Sequence, residues 1–410
     1  MNKIKILVIP SDRFGVGYYR SVNPHVKLNN LFGDVFDVAI DYTPNFDDLQ
    51  SFDDYDIIHI HKGVMKNMIS FRRALQYFKD KNIISILDLD DYWDVGQYHP
   101  LYMSNKINHI SQIIVENIKC FDYITTTTPI FAKEISKFNS NVIVLPNAID
   151  PSEKQFIPQD IKSEKLRIGM IMGSSHEHDV NLLRGMINKL PKDIISKIQI
   201  VLCGFDLRGT TRIIKDGQII ERPIAPKESV WYKYEKVLTD DYKIINPDYK
   251  KFLDLFIPNS EYPNVDKEPY RRCWTKDINE YATHYNNIDI LLAPLKETKF
   301  NEMKSQLKVI EAGMFHKGLI ASDFGPYKLD LIPLIEKGGS INKNGNALLV
   351  ETRNNHKDWA KNIERLVKHP ELLEILRNNL YNTVKDKYDL NNVTKERANF
   401  YENIVKKRLK

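Results

Sequence analysis

Residues 56–91, DIIHIHKGVMKNMISFRRALQYFKDKNIISILDLDD, decide the fold. An apolar, β-rich run from Asp56 to Ile60 is followed by a helical pattern from Met65 to Lys79 and a second apolar run from Ile83 to Leu87. Strand, helix and strand in that order make a βαβ unit of a parallel sheet. The alternation spreads outward from there. Strands are predicted at Ile4 to Pro10 and Val35 to Ile40 with a helix over Tyr19 to Asn29, then at Tyr123 to Thr127 and Val142 to Leu145 after a helix over Ile107 to Lys119. Beyond a polar stretch holding Pro151 and Pro158 a second series begins. Its strands are predicted at Leu166 to Met172, Ile198 to Gly204, Ile288 to Ala293, Gly318 to Ala321 and Ala347 to Glu351. The expected fold class is α/β: two Rossmann-like, doubly wound parallel-sheet domains facing a cleft at the carboxyl ends of their strands, where such sheets bind ligands. The expected boundaries are 1–155 and 165–375, with an insertion at about 210–285, and C-terminal helices over 376–410 that pack back on the first domain.

Length and composition agree with that plan. At 410 residues the chain exceeds what one core supports. Lys+Arg 59 against Asp+Glu 54 gives +5, too small an excess for a nucleic-acid protein but suited to anionic small ligands. Cys120, Cys203 and Cys273 are far apart in sequence without metal or redox spacing, which points to a reducing compartment. No apolar run reaches the ~20 residues needed to span a bilayer, and IKILVIP is short for a signal segment. A cytoplasmic protein is expected. Peripheral contact with the inner face of the cell membrane is open, because Val64 to Lys81 is apolar on one side and basic on the other and VKKRLK ends the chain.

Four places carry candidate chemistry. FNEMKSQLKVIEAG, Phe300 to Gly313, reads as one helix capped by Asn301, with Met303, Leu307, Ile310 and Met314 on one stripe and Lys304, Lys308 and Glu311 beside them. Such a helix offers two ammonium groups near its positive end and a hydroxyl-binding acid further on, or else a solvated charged face. SDRFGVGYYR after the first strand places Gly15, Gly17 and Arg20 at a helix start, a backbone approach for an anion or a plain tight turn. DLDDYWD sets Asp88, Asp90 and Asp91 at a strand's carboxyl end. There they could ligate a metal, supply a base whose pKa is raised by its neighbours, or cap the next segment. GMIMGSSHEHD turns at Gly173, Ser174 and Ser175 where a phosphate could rest, while His176 and His178 share no helical face and make a poor metal pair. The aromatic and basic residues of 210–285, Trp231, Tyr234, Tyr249, Arg272 and Trp274 among them, suit either sugar stacking or a local core.

Together these motifs carry a resemblance. DIIHIH, TTTTP at Thr125 to Pro129, LPNAID at Leu145 to Asp150, IGMIMGSSHEHD, IDILLAPL, KVIEAG and NGNALLVE fall in the order seen in GT-B glycosyltransferases, and the chain resembles the family 4 group of these enzymes along nearly its whole length. The resemblance implies transfer of a sugar from a nucleoside diphosphate sugar to a glycan or lipid-linked acceptor held by the first half. It also implies retention of configuration, no bound cofactor or metal, no nucleic-acid partner, and a place in bacterial surface polysaccharide or glycoconjugate synthesis. It maps Glu311 onto the second glutamate of the family's Glu-x7-Glu motif, which holds the donor ribose. The first glutamate falls on Met303, with Lys304 or Ser305 as replacements, and Lys304 and Lys308 stand in for the family's diphosphate-binding pair. The donor-binding set is then Gly15, Gly17, Arg20, Gly173, Ser174, Ser175, Lys304, Ser305, Lys308 and Glu311, and the catalytic set Asp90, Asp91 and Lys304, with Asp88 or Asp90 where the family has a histidine. Two other functions fit the same residues: a sugar-nucleotide 2-epimerase, and a non-catalytic scaffold that keeps the fold.

Overall fold

The computed structural model describes residues 3–62, 68–215, 218–351 and 356–408. The chain divides into two compact units, Met1–Pro151 with Thr298–Ile310 and Lys385–Lys410, and Ser152–Glu297 with Glu311–Val384. Each is built on a six-stranded parallel sheet.

In the first unit the strands are β1 (Ile4–Ile9), β2 (Phe36–Ile40), β3 (Ile57–His61), β4 (Ile84–Leu89), β5 (Tyr123–Thr126) and β6 (Val142–Val144), in the spatial order β2-β1-β3-β4-β5-β6. Every residue of β3 and β4 is buried, as a parallel sheet covered on both faces requires. Residues 15–31 form a helix interrupted by a π turn over Tyr18–Val22 and ending in α1 (Asn23–Leu31). Helix α2 (Met68–Asp80) buries Phe71, Ala74, Leu75 and Phe78, spaced i, i+3, i+4 and i+7, in the core of this unit. Its apolar face thus packs on the sheet, as the helix of a βα unit does; of the stretch Val64 to Lys81, residues 64–67 lie outside the described residues. No helix among the described residues is long and apolar enough to cross a membrane.

Gly17 is required by close approach. A Cβ there would stand 2.2 Å from the Asp12 carbonyl oxygen, a backbone atom that cannot move aside. Gly17→Ala should therefore cost about 1–3 kcal/mol of strain in urea unfolding; an unchanged midpoint would show that the loop has room to relax.

The second unit carries β7 (Leu166–Ile171), β8 (Ile198–Phe205), the hairpin β9 (Thr210–Lys215) and β10 (Gln218–Pro223), then β11 (Tyr270–Trp274), β12 (Ile290–Ala293), β13 (Gly318–Ser322) and β14 (Leu348–Val350). Its sheet runs β11-β8-β7-β12-β13-β14, which in chain order is the Rossmann sequence 3-2-1-4-5-6. Residues 210–285 are therefore not a separate insertion throughout. They supply the edge strand β11, and between it and the hairpin the helix α3 (Val230–Leu238) buries Trp231 and Tyr234. Tyr249 and Tyr270 are buried in the same core, with Phe252, Tyr262 and Trp274 packed against it. Arg272 is fixed by Glu235 at 2.9 and 2.6 Å and lies over the Phe205 ring at 4.2 Å. Local core, not sugar stacking, accounts for these rings.

The stretch from Phe300 to Gly313 is not one helix. A four-residue helix α4 (Lys299–Glu302) is capped by Thr298, whose hydroxyl accepts from the Asn301 N–H at 3.1 Å, and the chain opens before α5 (Leu307–Met314). Tertiary bonds favour the break. Met303 is 2% exposed in the core of the first unit, Ser305 Oγ accepts from Asn147 at 3.0 Å, and Gln306 donates to the Tyr388 hydroxyl at 2.7 Å. On α5, Gly313 lets α6 (Pro370–Val384) approach, since a Cβ would meet Val384 at 2.4 Å.

The last helix, α7 (Leu390–Arg408), packs on α1 of the first unit, and Ala398, Tyr401 and Ile404 enter that core beside Ile6, Val8 and Ile57. A buried hydrogen-bond chain fixes the joint. The Ser21 carbonyl can only accept, so His25 Nδ1, 2.6 Å away, donates to it; the Tyr401 hydroxyl then donates to His25 Nε2 at 2.7 Å and accepts from His59 Nδ1 at 2.8 Å. Burial keeps both imidazoles neutral, with His59 brought down to about 3.

Candidate functional site

In the first unit the strand order reverses between β1 and β3, and the carboxyl ends there bring together Ser11, Asp12, His61, Lys62 and the Asp88–Asp91 run. This is where open α/β sheets bind ligands. His61, 2% exposed, closes β3 with its Nδ1 2.9 Å from the Ser11 hydroxyl and its Nε2 3.0 Å from Asp90 Oδ1. The Ser11 hydroxyl also reaches Asp12 Oδ2 at 2.7 Å, so its one proton serves either Asp12 or His61, and the Ser11 rotor is coupled to the His61 tautomer. Lys62 has a left-handed backbone, φ 64°, which a side-chain-bearing residue adopts at a cost. Its ammonium stands 3.6 Å from Asp90 and 3.4 Å from Asp91.

Behind these groups lies a buried support. Arg20 is 1% exposed and grips Asp88 with two parallel bonds, Nε to Oδ2 at 2.9 Å and an Nη to Oδ1 at 2.6 Å. Its other Nη donates to the Leu145 carbonyl at 2.7 Å and to Asn147 Oδ1 at 3.2 Å, and Thr125 donates to Asp88 at 2.6 Å. Arg20 is thus a structural cation and no donor-binding one. Asp88 is equally occupied, so Asp88 and Asp90 do not present a free pair of carboxylates to a metal.

The expectation of a base with a raised pKa is overturned for both. Burial pushes the Asp88 carboxyl up, but the Arg20 charge and its hydrogen bonds outweigh that and hold it at about 2. Burial also opposes ionisation of Asp90, and Lys62 with His61 outweighs it, holding this carboxyl well below its usual range. The same pairing raises Lys62 against the effect of its own burial. The glycine loop is corrected too. Asp12 Oδ1 accepts from the N–H groups of Phe14 at 2.8 Å and Gly17 at 3.2 Å, so the helix start beside Gly15 and Gly17 already holds a carboxylate that would repel a second anion.

In the second unit the order reverses between β7 and β12. Gly173, Ser174 and Ser175 follow β7 and are all exposed there. Their loop is pinned by Tyr234, whose hydroxyl lies 3.1 Å from the Gly173 carbonyl and 3.2 Å from that of Ser174 and accepts from the His176 N–H at 3.0 Å. Buried Asp179 ties this loop to the one after β12, meeting His176 Nδ1 at 2.6 Å and accepting the Lys296 N–H at 2.8 Å. His176 serves that carboxylate and is not half of a metal pair. Glu311 is fully buried and accepts from the Tyr285 hydroxyl at 2.6 Å, with the Tyr285 ring stacked on Phe315. It does not stand at an exposed edge beside two lysines. Lys304, half-buried, sits in the open segment with its ammonium 5.0 Å from the Phe300 ring centroid, and Lys308 is on α5, so the pair does not share one helical turn.

Sequence reasoning passed over Ser11, Asp12, His61, Lys62, Asp179 and Tyr285 as site residues, and it read Tyr234 only as a ring for stacking or core, not as the residue that holds the Gly173–Ser175 loop. His61 had a signal, a polar residue closing an apolar strand; Tyr234 had none, since the loop it holds is about sixty positions away.

No family model matches this sequence, and no curated protein sequence does. Solved structures match it end to end. Sucrose-phosphate synthase from Thermosynechococcus elongatus superposes with a TM-score of 0.62 at 12% identity, over 98% of this chain and 99% of its own. Anabaena HepE in complex with UDP and glucose gives 0.59 at 12%, over 98% and 100%. A glycosyltransferase from Rickettsia africae gives 0.58 at 12%, over 100% of both. The chain has the GT-B fold. In this GT-B chain each Rossmann-like unit keeps polar groups at its own switch point, the His61–Asp90 cluster in the first and the Gly173–Ser175 loop in the second.

Proposed function

We propose that this GT-B protein is a glycosyltransferase that moves a sugar from a nucleoside diphosphate donor to a hydroxyl of a glycan or lipid-linked acceptor, with retention of configuration. The observation that carries the reading is the full-length GT-B match combined with a polar cluster at the switch point of each sheet. Synthesis of a surface polysaccharide or glycoconjugate follows from the sequence resemblance.

In the proposed division of labour the second unit receives the donor. Gly173, Ser174 and Ser175 offer backbone and hydroxyl groups to phosphate, and Glu311, held by Tyr285, offers its carboxylate to the ribose. Lys304, Ser305 and Lys308 belong to the first unit, and it is the sequence resemblance that proposes Lys304 and Lys308, with Ser305, for the negative charge growing on the diphosphate as the glycosidic bond breaks; stabilising that charge more in the transition state than in the bound donor is what accelerates transfer. The first unit receives the acceptor. Ser11 is exposed and backed by His61 and Asp90, so an acceptor hydroxyl bound there meets a hydrogen-bond chain that can orient it and take up its proton. Asp91 faces the same Lys62 ammonium and is the more exposed carboxylate.

A panel of UDP, GDP and dTDP sugars tests the reading through release of the nucleoside diphosphate with and without glycan acceptors. Acceptor-dependent release supports transfer. Interconversion of the sugar without an acceptor supports the 2-epimerase, and absence of nucleotide binding in calorimetry supports a scaffold. Glu311→Gln and Lys304→Ala should each lower kcat/KM for the donor by on the order of 10-fold or more, the worth of one charge-assisted hydrogen bond. If both variants match the parent, the donor-site assignment fails.

A further inference from the structure

Cys203 and Cys273, seventy positions apart in sequence, are partners in register on the adjacent parallel strands β8 and β11. In-register neighbours of a parallel sheet project to the same face, and neighbouring strands lie ~4.8 Å apart, inside the Cα separation that a disulfide tolerates. Both thiols are free. Their environments differ. Cys203 is buried, whereas Cys273 is only partly so and lies at the edge strand, where the register slips between Cys273 and Trp274. Arg271, two residues back on the same face of β11, adds a positive charge. The contact with Cys203 pulls the Cys273 thiol down despite burial, and the same contact, joined by burial, pushes Cys203 up.

We propose that Cys203 and Cys273 form a redox-active dithiol that a peroxide converts to a disulfide, bonding the edge strand β11 covalently to β8. In the first step the Cys273 thiolate attacks a peroxide oxygen; with hydrogen peroxide the O–O bond breaks, hydroxide leaves, and Cys273 becomes a sulfenic acid. In the second the Cys203 thiol attacks that sulfur, the S–O bond breaks, and its proton leaves with the oxygen as water. Two thiols and one hydrogen peroxide thus give one disulfide and two waters. The bond would close the whole segment between the strands, hairpin, α3 and the aromatic core included, into one loop, so unfolding of the edge is resisted more strongly in the oxidised protein. The buried partner resolves the sulfenic acid before further oxidation, which a solitary thiol such as the exposed Cys120 could not do.

The test uses the full-length protein carrying Cys120→Ser, treated under native conditions with equimolar hydrogen peroxide, alkylated with N-ethylmaleimide after unfolding, and weighed by mass spectrometry. The expected product has lost the mass of two hydrogens, takes up no maleimide, yields a linked Cys203–Cys273 peptide on non-reducing digestion, and regains both adducts after dithiothreitol. Its thermal midpoint should lie above that of the reduced form, and addition of Cys203→Ser should replace the disulfide by oxygen adducts on Cys273. Recovery of two maleimide adducts, or of sulfinic or sulfonic Cys273 with Cys203 intact in the parent, would overturn the proposal.

Discussion

Arg20→Ala is expected to destabilise the first unit by about 3–5 kcal/mol, because it leaves the Asp88 carboxylate buried without its counter-ion. That is a large share of the ~5–15 kcal/mol by which domains of this size are stable. Removing both charges with partners of similar volume, Arg20→Met with Asp88→Leu, should recover much of the loss, since the cost lies in the uncompensated charge more than in the pair itself. Acid dependence gives an independent reading. The Asp88 carboxyl is depressed to about 2 in the folded protein from 3.8, so its pairing contributes about 2 kcal/mol above the unfolded value, and this is lost as pH falls from ~4 through ~2. Urea midpoints at a series of pH values should therefore drop over that window in the parent, with this component missing from Asp88→Asn. A midpoint for Arg20→Ala within about 1 kcal/mol of the parent at neutral pH would return Arg20 to the list of ligand-binding cations.

His61→Ala should lower turnover by about 10²–10⁴-fold, the usual worth of a positioned proton-transfer group, while leaving donor affinity as it is. The reasoning is geometric. His61 links an exposed hydroxyl, Ser11, to a carboxylate, Asp90, held ionised by Lys62, and the whole array stands where the first sheet changes direction. Asp90→Asn should act in the same direction with smaller effect, since the amide still occupies the place but cannot stabilise a charged imidazole. Thermal melts of each variant separate chemistry from folding, because His61 is also a buried strand residue. Parent-like turnover by a well-folded His61→Ala protein would move the acceptor site elsewhere.

The candidate site was legible at the level of loops and illegible at the level of partners. DLDD and GSS were placed correctly at strand ends because an apolar run that stops at acids or small hydroxyls marks a carboxyl edge. What each acid does there depended on who faces it. Asp88 looked like a base or a metal ligand until Arg20, 68 positions away, proved to occupy it, and Asp90 until Lys62 and His61 did. β11 escaped notice for a related reason. YRRCW carries two adjacent arginines, and only Glu235, on another element, makes Arg272 a core residue.

The amino-acid order alone settled the first parallel sheet and every strand of the second except β11, since strands covered by helices on both faces read as apolar runs, a pattern that needs no partner to be read. Tertiary packing alone decided where the helix after Thr298 stops, that Arg20 and Arg272 are struts, and which cysteines meet. Helical periodicity runs straight through Met303 to Gln306, but one buried methionine and two side-chain bonds made to distant residues outweigh the few backbone bonds lost there. Charges behave alike: an arginine in a string is always a cation, and only burial against a carboxylate from another strand determines that it will never meet a substrate.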